Sequence, residues 1–134
     1  MNAYFDKGLN RFTTGDIDWV NDTICIAGVD VNVYAPSLTS DEFLSVFPEI
    51  IASKQFTGCV TSRGDMYVQD VELPAVNTGK TINALVIYKN TGNPSNSPLI
   101  ALITDSTGLP VLTNGQTIPI SWSATNGVIL TLRG

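Results

Sequence analysis

The sequence predicts a mainly β protein: an antiparallel β-sandwich or jelly-roll-like barrel of about seven strands, decorated by two short helices. Three observations carry that expectation. From residue 50 onward, Gly58, Gly64, Gly79, Gly92, Gly108, Gly115 and Gly127 divide the chain into pieces of 6 to 16 residues, too short for substantial helices and suited to strands. Asn114-Gly115 and Asn126-Gly127 are tight-turn dipeptides, since both residues tolerate the positive φ that hairpins require. No βα alternation runs through the 134 residues, which speaks against a parallel sheet, and the length fits one β-rich domain over 1–134.

Taken in order, Phe5, Leu9 and Phe12 stand at i, i+4 and i+7 and predict a short N-terminal helix over about 3–12, with Gly15 after its end. Residues 15–20 alternate polar with apolar side chains. They lead into Thr23-Ile24-Cys25-Ile26-Ala27-Gly28-Val29, a strand expected over 23–30 and buried along most of its length. Residues 32–38 contain Pro36 and read as a loop. Thr39-Ser40-Asp41-Glu42 then has capping-box spacing, so a second helix is expected over 40–47, with Phe43, Leu44 and Phe47 on its apolar face and Pro48 ending it. Further strands are expected at 56–62, 65–73, 81–90, 98–104, 116–123 and 127–133, and Pro119 places its strand at a sheet edge. The segment 90–98 has no large apolar side chain and reads as an exposed loop between two core strands.

Composition bounds the chemistry. Twelve acids against seven bases give a net charge of −5, and the bases Lys7, Arg11, Lys54, Arg63, Lys80, Lys89 and Arg133 are scattered singly, so nucleic acid is not an expected partner. There is no histidine, which removes the commonest general base near neutral pH, the usual triads and most zinc sites. Apolar runs such as Ala84–Tyr88 and Leu99–Ile103 are far shorter than the roughly 20 residues of a membrane-spanning helix. The N-terminus shows no secretory signal pattern, so the mature chain is expected to begin there and no membrane partner is expected. With only 14% charged residues, solubility rests on 15 Thr, 10 Ser and 11 Asn, which suit turns and wet contact surfaces.

No constellation reaches a catalytic, cofactor or metal pattern, and none of those site residues is assigned. Asp16, Asp18, Asp22 and Asp30 crowd into fifteen residues, but the twelfth position counted from Asp16 is Ala27, where a calcium loop needs a bidentate acid. Capping and turn duty is the better account. Asp65, Asp70 and Glu72 lie along one expected strand, where two acids at even spacing share a face, and solubility is their expected role. Gly79-Lys80-Thr81 is a fragment of a phosphate loop, but Pro74 stands where the other glycine belongs. Asn21-Asp22-Thr23 matches a glycosylation acceptor by accident. Cys25 and Cys59 sit in apolar or β-branched sequence and read as small buried hydrophobes, a disulfide between them being the alternative. Trp19 and Trp122, if exposed on a sandwich, would suit a carbohydrate-binding module, although such aromatics are more often core.

Several segments in order carry a resemblance: Gly15-Asp16-Ile17-Asp18-Trp19, Asp22-Thr23-Ile24, Asp41-Glu42-Phe43-Leu44, Ala84-Leu85-Val86-Ile87-Tyr88, Ser97-Pro98-Leu99-Ile100, and Thr107-Gly108-Leu109-Pro110-Val111 followed by Asn114-Gly115. Over nearly the whole chain these resemble small virion structural proteins of tailed bacteriophages. The resemblance implies a structural part of the particle without catalysis or cofactor, preferentially a capsid decoration or cement protein. Its implied partners are the major capsid protein and its own copies as a dimer or trimer, and its implied location is the capsid surface after assembly in the host cytoplasm. A tail, neck or fibre part is the alternative within that class.

Overall fold

The computed structural model describes residues 2–62, 65–68, 70–76, 79–104, 109–120 and 128–131. In chain order the elements are β1 (Asn2–Tyr4), α1 (Asp6–Thr13), β2 (Ile24–Val29), β3 (Ala52–Gln55), β4 (Val60–Ser62), β5 (Asp65–Tyr67), β6 (Val71–Leu73), β7 (Thr81–Ile82), β8 (Ala84–Lys89), β9 (Leu99–Ile103), β10 (Val111–Leu112), β11 (Ile118–Ile120) and β12 (Val128–Thr131). Two single 3-10 turns, Leu44–Val46 and Pro94–Asn96, complete the set.

The protein is mainly β with antiparallel pairing throughout. Its principal sheet has the order β1-β9-β8-β2-β3. The central strands β2, β8 and β9 read as near-continuous apolar runs because both faces of this sheet are covered. Alternation survives within the runs. Ile24, Ile26, Leu85, Ile87 and Ile103 join one core with Met66, Leu73, Ile82, Ile118 and Ile120 of the small sheets. Cys25, Ala27, Val29, Val86, Tyr88 and Leu102 join the other with Phe5, Leu44 and Phe47, flanked by Tyr34 and Leu38. The small sheets are β12-β5-β4, β11-β6 and β10-β7.

The expected barrel does not form among the described residues: β1 and β3 end the order of the principal sheet and are not hydrogen-bonded to each other. Nor are there about seven strands; the described residues hold twelve, because two expected long strands are broken and three further short strands form. The span 65–73 divides into β5, paired with β4 and β12, and β6, paired with β11. The span 81–90 breaks at Asn83, whose side chain accepts from Val31 N–H at 2.8 Å and donates to Asp30 Oδ1 at 2.9 Å. Pro119 lies on β11, a strand of a two-stranded sheet, in agreement with its expected edge position. β1, β3 and β10 were not foreseen. The Asn126-Gly127 turn, Gly64, Gly108 and Trp122 lie outside the described residues.

The second helix is also corrected: α1 is the one α-helix among the described residues. Over 40–47 only the 3-10 turn Leu44–Val46 forms, because Phe43 is extended (φ −122°, ψ 154°) and bridges Pro98. Leu44 N–H donates to Ser97 O and Leu99 N–H to Glu42 O, both at 2.9 Å, so these backbone groups serve a cross-chain pairing instead of i→i+4 bonds. The capping box is absent too. Glu42 turns to Arg11, and Asp41 accepts from Ser37 N–H at 2.8 Å and from the Tyr34 hydroxyl. Leu44 and Phe47 are nevertheless buried as the apolar pattern required. Since Thr39 caps nothing, Thr39→Ala is expected to change stability by less than about 0.5 kcal/mol, a surface effect, where loss of a cap would cost about 1 kcal/mol. Paired urea midpoints check this.

Candidate functional site

An open concave surface is built around the C-terminal end of α1. Arg11, Phe12, Thr13 and Thr14 are followed by Gly15 at φ +81°, which ends the helix as a left-handed residue. Gly15 N–H donates to Phe12 O at 3.3 Å and Asp16 N–H to Arg11 O at 2.9 Å, the paired bonds of a Schellman motif. That motif folds the residue after Gly15 back over the third residue from the helix end. A hydrophobic contact usually forms there; here it is an ion pair between Arg11 and Asp16.

Arg11 is the hub of the surface. Besides Asp16 it donates through Nη2 to Glu42 Oε2 at 2.6 Å, and its guanidinium lies 5.3 Å from the centre of the Phe43 ring. Partial burial works to lower its pKa, but hydrogen bonds to Glu42 and Asp16 outweigh this and hold it above the ordinary value. Lys7 Nζ stands 3.8 Å from Glu42. Lys89 Nζ lies 3.2 Å from Asp22 Oδ2 and donates to Asp16 O at 2.8 Å, which ties β8 to the segment after α1.

Three depressions meet here. An open groove of about 940 Å³ runs along α1, lined by Asp6, Lys7, Asn10, Arg11, Thr14, Gly15, Asp16 and Glu42. It shares Arg11 and Asp16 with a pocket of about 280 Å³ walled by Phe43, Lys89, Thr91, Asn96 and Pro98. At Gly15 it meets a third of about 340 Å³, whose walls include Phe12, Ile17, Trp19 and Met66, with Asp18 and Thr61. Of the loop expected to be exposed over 90–98, residues 90–96 are exposed but Ser97 and Pro98 are buried; the loop is held by its own side chains: Asn93 Oδ1 accepts from Ser95 N–H at 3.0 Å, Thr91 N–H donates to Ser97 Oγ at 3.1 Å, and Thr91 and Asn96 side chains are bonded.

The sequence-flagged acids are placed as follows. Asp16 and Asp22 pair with Arg11 and Lys89. Asp18 accepts from Val20 N–H, Asn21 N–H and the Asn21 side chain, and the Asn21 side-chain bond foremost holds its carboxyl below the usual range. Asp30 accepts from Asn32 N–H and Asn83 Nδ2. Thus all four perform turn and pairing work. Asp65 stands on β5 and Glu72 on β6, with Asp70 between, so the three acids do not share one strand. Lys80 pairs with Glu49 at 2.9 Å. Trp19 is buried, 3% exposed, with Nε1 donating to Tyr67 O at 3.2 Å. Among the described residues no three His, Cys, Asp or Glu side chains gather as metal ligands, and no helix is long and apolar enough to cross a membrane. Sequence reasoning missed Arg11: it is 31 positions from Glu42, and the only local signal was Gly15-Asp16 after a helix end.

Cys25 is buried and Cys59 half-buried, and they form no disulfide. Burial raises both thiols, Cys59 to about 11 with a further push from Cys25. Because the thiolate is the nucleophile, Cys59 in the folded protein is expected to alkylate at pH 8 roughly a hundredfold more slowly than a thiol titrating near 9, one factor of ten for each pH unit between the two values. Iodoacetamide rates as a function of pH check this: the rate should climb up to about pH 11, and a plateau near pH 8.5 would contradict it.

In comparison with known proteins, no protein-family model and no curated protein sequence matches the chain.

Proposed function

We propose that this chain is a structural protein of a tailed-bacteriophage particle, a decoration or cement protein on the outer surface of the major capsid protein lattice, which it stabilises. The ordered sequence resemblance is the starting point. The structural observation that best supports it is the use made of charge: Asp16, Asp22 and Glu42 are taken up by Arg11 and Lys89. What the molecule offers beside them is a rigid, neutral hydrogen-bonding loop at 90–96. Such a surface suits wet, repeated contacts, each of modest strength, multiplied by the symmetry of a shell and by contacts to several neighbours. We read the small sheets against the principal sheet as a β-sandwich of jelly-roll-like character, acting singly or as a dimer or trimer on the shell. The burial of Trp19 removes one of the two tryptophans on which a carbohydrate-binding reading relied.

The test is addition of purified protein to particles depleted of it, followed by heat challenge and a count of copies. Restored heat resistance and on the order of hundreds of copies are expected of a symmetric shell component. About a dozen copies would move the protein to the tail, neck or a vertex, and absence of both binding and protection would end the cement reading.

A further inference from the structure

We infer that the three depressions adjoining through Gly15, Arg11 and Asp16 form one docking valley, which seats an extended segment of the protein partner carrying an apolar anchor side chain next to a Lys or Arg. The inference rests on the structural-protein reading above and names the contact face it lacks. Three observations converge. First, the depressions are contiguous through shared residues, Gly15 on one side and Arg11 and Asp16 on the other. Gly15 puts no side chain between them, and the place where a Cβ would stand has nothing within 4 Å.

Second, the two ends differ in chemistry. At one end the pocket of about 340 Å³ is walled by Phe12, Ile17, Trp19 and Met66, near the lower end of the size range for ligand pockets. At the other end are charged groups set on α1 and its Schellman turn, whose positions are locked by Arg11. An apolar anchor in a pocket with a polar surround is the usual energetic anatomy of a protein contact.

Third, the valley is complementary to a cation. Asp16 and Glu42 are paired with Arg11, but Asp6 and Asp18, which also line the valley, take no ion pair among the described residues. The whole chain is also acidic at −5, which favours approach of a basic segment.

The experiment places the photo-crosslinker p-benzoylphenylalanine in place of Thr61 or Asn10, both exposed and in the valley, and in place of Val33 or Leu112, both exposed and outside its lining. Whole particles carrying each form are irradiated and the captured proteins identified. Capture of the major capsid protein from Thr61 and Asn10, with little from Val33 and Leu112, is the expected result. Capture of a different virion protein from the same two positions would overturn the capsid reading and leave the valley standing. Capture only from Val33 or Leu112, equal capture from all four, or none would overturn the valley. In the same particles Thr61→Arg and Asp6→Lys are expected to lower occupancy at limiting protein roughly tenfold, the scale of a single anchoring contact. Unchanged occupancy in variants with unchanged unfolding midpoints would also overturn it.

Discussion

Gly8→Ala is expected to destabilise the protein by about 2 kcal/mol or more, although the same change in an ordinary exposed helix would stabilise it by up to ~1 kcal/mol. Gly8 lies inside α1 and is buried against β9. A Cβ there would stand 2.1 Å from Leu99 O and 3.0 Å from Ile100 Cα. Both atoms belong to the backbone of a central strand, so no rotamer change relieves the clash and the helix itself must move outward by about an ångström. Phe5, fully buried one turn earlier, anchors the helix to the second core and resists that movement. The displacement would also pull Arg11 from Glu42, so loss of stability should come with disturbance of the valley. Urea unfolding of the variant tests this; a midpoint equal to or above that of the parent would show that α1 is not packed as described.

Trp19→Ala is expected to cost about 3–5 kcal/mol, the range for truncating a large buried aromatic. Trp19 packs beside Phe56, with ring centres 6.1 Å apart, in the core to which both the principal sheet and the small sheets contribute. It also spends its indole N–H on Tyr67 O. Trp19→Phe keeps most of the apolar volume and removes one donor to that carbonyl, so a loss of about 1 kcal/mol is expected from it. In a Trp122→Phe background the remaining emission comes from Trp19 and should be blue-shifted, unmoved by glycans, and red-shifted only on unfolding. A red-shifted native spectrum or a response to sugars would contradict its burial. If Trp19→Ala unfolds the chain altogether, the Phe variant still reads out the hydrogen bond.

Much of this fold was legible because its signals are local. The apolar run at 23–30 and the run ending at Ile103 became the middle of the principal sheet within a residue or two at each end. The helix stop at Gly15 was visible because a left-handed residue is needed there, and most of the exposed loop expected over 90–98 followed from its lack of large side chains, although Ser97 and Pro98 are buried. Legibility failed where two distant segments competed for the same backbone groups. Thr39-Ser40-Asp41-Glu42 carries every local mark of a helix start, yet Leu44 and Glu42 find partners 53 and 57 residues away, at Ser97 and Leu99. Ala3 and Tyr4, expected as the start of the helix over 3–12, instead extend the sheet with Asn2 by pairing with residues 101–103.

The candidate site divides the same way. By itself the sequence determined that the protein is mainly β, that Asp18, Asp22 and Asp30 accept turn hydrogen bonds, and that the helix ends at Gly15. These depend on backbone preferences and hydrogen bonds spanning a few residues. Only the tertiary structure decided that Arg11 gathers Asp16, Glu42 and Phe43, that Trp19 faces inward, and that three depressions adjoin through Gly15, Arg11 and Asp16. Those outcomes depend on which surfaces become covered and which charges meet once distant strands pair, a property of the closed chain that no short window of residues contains.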